Sequence, residues 1–114
     1  MYTFIDDIFE SFDCPFEYAG VSFLREILVA ALKNSADISL DCKNLIYDVC
    51  QSAGFLRDRI EKNLRTLIVQ WYKMDKFKEL FPLEIPTNQS LIAKFYRLAF
   101  KKLDLKSTVL QYIA

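Results

Sequence analysis

The chain of 114 residues has no histidine, two glycines and three prolines. Each scarcity removes something. Without histidine the chain lacks the commonest general base and the commonest metal ligand. Its cysteines, Cys14, Cys42 and Cys50, are odd in number and show no C-x-x-C spacing. That argues against a disulfide framework and a zinc site alike and favours three small apolar residues in a reducing cytoplasm. So few glycines and prolines cannot supply the tight turns of a sandwich or barrel, and no Asn-Gly or Asp-Gly hairpin signal occurs. No run of about 18 residues is free of charge, so no membrane span is expected. The opening segment MYTFIDDIFESF carries Asp6, Asp7 and Glu10, unlike a secretory signal. There is no glycine-rich phosphate loop, no serine elbow and no carboxylate pair on one face, because Asp6 and Asp7 are adjacent and diverge on a helix. The expectation is a cytoplasmic protein that is not an enzyme and needs neither metal nor cofactor.

What is present is apolar and periodic. Hydrophobic residues make up 53% and charged ones 26%, a composition that folds. One domain over residues 1–114, all-α, is expected. The formal net charge is zero but unevenly spread. Residues 1–50 carry three basic against nine acidic side chains, net −6, and residues 51–114 carry twelve against six, net +6.

The spacing predicts six helices. Thr3, with Asp6 three residues on, reads as the cap of a helix from Phe4 to about Phe12. Pro15 and Gly20 bracket a loop. Phe23, Leu24, Ile27, Leu28, Ala31 and Leu32 recur with helical period, giving a second helix from about Ser22 to Lys33. Asp41 caps a third over Cys42 to Ser52, with Leu45, Ile46, Val49 and Cys50 inward. Ile60, Leu64, Leu67, Ile68 and Trp71 form an amphipathic stripe on a fourth helix from about Leu56 to Tyr72. Asp75 opens a short helical turn reaching Leu80 and Phe81, stopped by Pro82 and Pro86. Thr87 or Asn88 caps a last long helix with Leu91, Ile92, Phe95, Leu98, Ala99 and Leu103 on one face.

The third and fourth helices, joined by a short glycine-containing turn, read as a helix-turn-helix over about 42–72. Two closely crossing helices need a small residue at the crossing, and Cys50 supplies it. The turn needs a residue tolerant of positive φ, which Gly54 provides. The second helix must anchor an aliphatic side chain on the first, and Ile60 stands there. With Ile60 at 0° and about 100° per residue, Lys62 falls near 200°, Arg65 near 140°, Thr66 near 240° and Asp58 near 160°, all on the outward side. Arg59 and Glu61 lie on the flanks, and Arg57 sits in the first turn. Such a face fits a major groove, where Arg or Lys pairs with guanine and Glu accepts from cytosine N4. The same pattern also reads as a solvated face braced by the i, i+4 pairs Asp58–Lys62 and Glu61–Arg65.

The segments GVSFLREI (20–27), LIYDVCQSAGFLRDRIEKNLRTLI (45–68) and PTNQSLIAKF (86–95) resemble the C-terminal DNA-binding domain of the stage-zero sporulation response regulator, over roughly residues 4–105. The resemblance implies a compact six-helix domain that binds duplex DNA through its helix-turn-helix and regulates transcription. In that family the domain pairs on tandem sites and touches RNA polymerase sigma factor, so a homodimer on DNA and a sigma-factor contact are implied. Glu61, Lys62 and Arg65 match base-reading positions, with lysine at 62 where the family usually has arginine, and Arg59 matches a basic position. Arg57 and Thr66 complete the expected DNA-binding set. The receiver domain that precedes this domain in the family has no counterpart in these residues. Phe55 and Leu56 replace hydroxyl residues of the family's turn, and Asp58 adds a carboxylate to the outward face. Those three residues, with a sequence pI of about 6.2, motivate the rival expectation, a protein-interaction module that kept the fold and lost DNA readout.

On the last helix, Lys94, Arg97 and Lys101 form a basic stripe at i, i+3, i+7, either solubilising or, for Lys94 and Arg97, in contact with phosphates. Lys101 and Lys102 read as residues near the helix C-terminus, suited to its dipole. The apolar tail Val109, Leu110, Tyr112 and Ile113 either closes the core or pairs with a second subunit.

Overall fold

Helix is the only regular structure among the described residues of the computed structural model, which are 2–34 and 56–113, with side chains described for 2–33 and 56–103. Five helices lie there: α1 (Tyr2–Glu10), α2 (Gly20–Asn34), α3 (Arg57–Trp71), α4 (Asp75–Lys78) and α5 (Asn88–Ile113). The helix expected over Cys42 to Ser52, and with it Cys50 and Gly54, falls outside the described residues. The helix-turn-helix therefore remains an expectation, of which α3 and the buried Ile60 are the part in view.

α1 starts earlier and stops earlier than its apolar spacing predicts. Thr3 lies inside the first turn rather than capping it, because Tyr2 is already helical. The end is set by Asp13, the one non-glycine residue with positive φ among the described residues, at 57°. Around it the Cys14 N–H donates to the Phe9 carbonyl at 3.3 Å and the Asp13 N–H to the Glu10 carbonyl at 3.1 Å. This is the paired bonding of a Schellman stop, with aspartate in the place usually taken by glycine. Phe12 is left in the turn, and its carbonyl accepts the Trp71 indole N–H at 2.7 Å.

α2 begins two residues before the expected Ser22, so Gly20 is its first residue rather than the end of a loop. A Cβ at Gly20 would press on the Asn63 carbonyl oxygen and stand 2.9 Å from Leu67 Cβ. The absence of a side chain lets the start of α2 lie directly on the middle of α3. α1 is tied to α2 by the Arg25–Asp6 ion pair at 2.8 Å.

The core joins all five elements. Ile5, Ile8 and Phe9 of α1, Leu24, Ile27, Leu28 and Ala31 of α2, the α3 stripe, Phe77 of α4, and Leu91, Ile92, Phe95 and Ala99 of α5 are buried together. Trp71 is its hub: it stacks on Phe77 at 4.5 Å and Phe95 at 5.0 Å, and meets Phe9 edge-on at 5.6 Å. Those spacings are the offset and edge geometries aromatic quadrupoles favour.

Thr87 rather than Asn88 caps α5, its Oγ1 accepting the Ser90 N–H at 3.1 Å. From there α5 runs unbroken to Ile113, so Lys101 and Lys102 lie mid-helix and not in a last turn. The dipole explanation for them falls, and Lys102 instead holds its ammonium 6.0 Å from the Phe4 ring. Leu98 and Leu103, expected inward, are only half-buried.

Candidate nucleic-acid interface

The expected face is carried by α3, and burial decides its direction. Ile60, Leu64, Leu67, Ile68 and Trp71 have no solvent exposure. The apolar stripe is thus sealed against the core, and the opposite side of the helix is polar. On that side Arg57, Asp58, Arg59, Lys62, Arg65 and Thr66 are exposed, and Glu61 is half-exposed.

The first turn is built without a capping side chain. Leu56 stands at the N-cap with extended backbone (φ −72°, ψ 143°) and its side chain makes no cap hydrogen bond. Its carbonyl accepts from the N–H groups of Arg59 and Ile60. Asp58 lies in this first turn, where a carboxylate meets the positive end of the helix dipole. That gives Asp58 a structural role independent of any ligand. Leu56 itself is 79% exposed.

The ion pairing differs from the expected pattern. Arg57 Nε meets Glu61 Oε1 at 3.0 Å, and neither Asp58–Lys62 nor Glu61–Arg65 forms a salt bridge. Both orders satisfy the i, i+4 rule, but Arg65 is drawn elsewhere: its Nη1 donates to the Pro86 carbonyl at 3.3 Å, across to the start of α5. Glu61 is thereby left to Arg57. An exposed pair of this kind contributes about 0–1 kcal/mol, so a polyanion can displace it. Lys62 forms no ion pair among the described residues.

Two side chains turn back onto their own helix. Thr66 Oγ1 donates to the Lys62 carbonyl at 3.1 Å, and Asn63 Nδ2 to the Arg59 carbonyl at 2.7 Å. With its proton committed, the Thr66 hydroxyl can only accept, which suits a base amino group and not a phosphate. Arg57, Arg59, Glu61, Lys62, Arg65 and Thr66 are thus brought onto one helix face. Lys94 and Arg97 are not part of it. Lys94 is half-buried with its ammonium 5.9 Å from the Phe81 ring, while Arg97 is exposed further along α5.

The periodic reading missed Asn88. Its Nδ2 donates to the Glu61 carbonyl at 3.1 Å, pinning the first residue of α5 to α3, while its Oδ1 is buried without a partner. The choice between Thr87 and Asn88 as cap carried a trace of this, since the residue not used as the cap is free to reach across. Also unforeseen is an apolar groove of about 260 Å³ lined mainly by Phe81, Pro82, Leu83, Ile85 and Pro86, of which Leu83 is 97% exposed. Among the described residues no cluster of three or more His, Cys, Asp or Glu could hold a metal ion. Cys14 is buried and free, and burial, with the carboxylates of Asp6 and Glu17 adding to it, pushes its thiol up to about 12. No protein-family model, curated protein or solved structure matches the chain.

Proposed function

We propose that this chain is the DNA-binding domain of a transcription regulator of the sporulation-initiation type, acting in the cytoplasm and entering the major groove of duplex DNA with α3. The observation that carries the reading is the division of α3 into a fully buried apolar stripe and an outward face bearing Arg57, Arg59, Lys62 and Arg65. A helix held rigidly by its back presents its front without further ordering cost. The resemblance of residues 4–105 to the family's effector domain supports the assignment, and on that resemblance rest the pairing of two copies on tandem sites and the contact with sigma factor. Among the described residues no helix is long and apolar enough to cross a membrane.

The test is selection from random duplexes, followed by titration of the selected sequence against salt. Binding is expected to weaken steeply as salt rises, because phosphate contacts release counterions. Lys62→Ala is expected to flatten the preference at one base pair. Absence of duplex binding at micromolar protein and low salt refutes the proposal.

The exposed Leu56 favours a second reading, a protein-interaction module that kept the fold. Under it Leu56→Asp abolishes binding to a protein partner while duplex binding is absent from the wild type as well.

A further inference from the structure

We infer that Arg65 is a positioning residue rather than a base reader, and that sequence readout on α3 falls to Lys62. The inference rests on the DNA-binding reading above and divides its residues into two roles. From its exposed place on α3, Arg65 reaches across to the start of α5: its Nη1 donates to the carbonyl of Pro86, a buried residue immediately before the Thr87 cap. One turn earlier on α3, the Glu61 carbonyl accepts Nδ2 of Asn88. The two bonds lie four residues apart on α3 and two apart at the start of α5, so together they fix where α5 begins relative to α3. Asn88 Oδ1 is buried without a partner, so the Asn88 amide is held by its Nδ2 bond to Glu61.

To grip the O6/N7 edge of a guanine with both Nη groups, the Arg65 fork would give up the Pro86 carbonyl, and the bond that ties α3 to the start of α5 would be lost with it. Lys62 has no such tie. It is exposed on the outward side and makes no ion pair among the described residues. Its single ammonium reads a base as a point charge, without the bidentate geometry of arginine.

The experiment uses the full 114-residue chain with Arg65→Ala, Arg65→Lys and Lys62→Ala, measuring urea midpoints and base preference by selection from random duplexes. Arg65→Ala is expected to lower the folding equilibrium constant about fivefold and to weaken binding to every duplex by a common factor, with preference unchanged. Arg65→Lys restores both, because one ammonium N–H serves a lone carbonyl but cannot replace a guanidinium fork on guanine. Lys62→Ala flattens preference with the midpoint unmoved. Loss of preference at a base pair in Arg65→Lys overturns the assignment, and so does an unmoved midpoint in Arg65→Ala. Absence of duplex binding by the wild type would refute the DNA-binding reading and the readout role of Lys62 with it. The urea series would still decide the clamp separately.

Discussion

Asp13 and Cys14 show how much one turn can ask of two side chains. Asp13 holds a φ of 57°, in a region that aspartate tolerates at some cost and that closes α1. The next residue, Cys14, is carried into the core beside Phe9, completing the apolar contact that accompanies a Schellman stop. Burial has a titration consequence. The thiol ionises near 9.0 when unperturbed and is held protonated to about 12 in the fold. A raised folded value means that ionisation favours the unfolded chain, so the contribution is complete below pH 9 and is lost as pH climbs towards 12. The urea midpoint of the wild type is therefore expected to fall more steeply between pH 8 and about 10.5 than that of Cys14→Ala, in which the lysine and tyrosine titrations common to both cancel. Parallel profiles for the two proteins would show that the thiol ionises freely in the fold.

At the scale of elements, the packing of α2 on α3 depends on one missing side chain. Gly20→Ala would drive a methyl into the Asn63 carbonyl and Leu67, both on α3. Helix propensity favours alanine by about 1 kcal/mol, whereas overpacking a closed contact costs about 1–3 kcal/mol. The expected net result is destabilisation by up to about 2 kcal/mol, read as a lower urea midpoint with unchanged slope. The periodicity of α3 was legible because a single burial pattern dictates it: all five stripe residues are buried. The limits of α1 and α2 were not legible, because an aspartate in left-handed backbone closes α1 where a glycine would have signalled the stop, and both limits meet tertiary contacts. Trp71 claims the Phe12 carbonyl at one end of α1, and α3 approaches Gly20 at the start of α2. The outward position of Lys62 followed from helical angle alone. The partner of Arg65 did not, since Pro86 is 21 residues away and nothing local marks it. Asn88 escaped for the same reason, a polar side chain whose use is decided across an interface.

For the molecule as a whole, the relevant quantity is how its cations are shared between structure and solvent. The C-terminal part carries the excess of positive charge, net +6 over residues 51–114, but the fold does not leave all of it equally accessible. Lys94 and Lys102 rest over aromatic rings, and Arg65 is tied to Pro86. Arg57, Arg59, Lys62 and Arg97 are exposed. If Arg57, Arg59 and Arg97 meet phosphates, the logarithm of the binding constant falls with the logarithm of salt at a slope of about −3, each contact contributing about −0.9. Binding titrations at four or five salt concentrations distinguish the groups. Arg97→Ala is expected to make the slope shallower by about 1, because a phosphate contact and its released counterion are lost together. Lys94→Ala is expected to leave the slope unchanged and to lower stability by about 0.5–1 kcal/mol, the worth of a solvated cation over a ring. A slope that responds to Lys94 and not to Arg97 would move the proposed DNA-facing surface from α3 towards the groove between Phe81 and Pro86, and the proposed orientation of the domain on DNA would have to be turned accordingly.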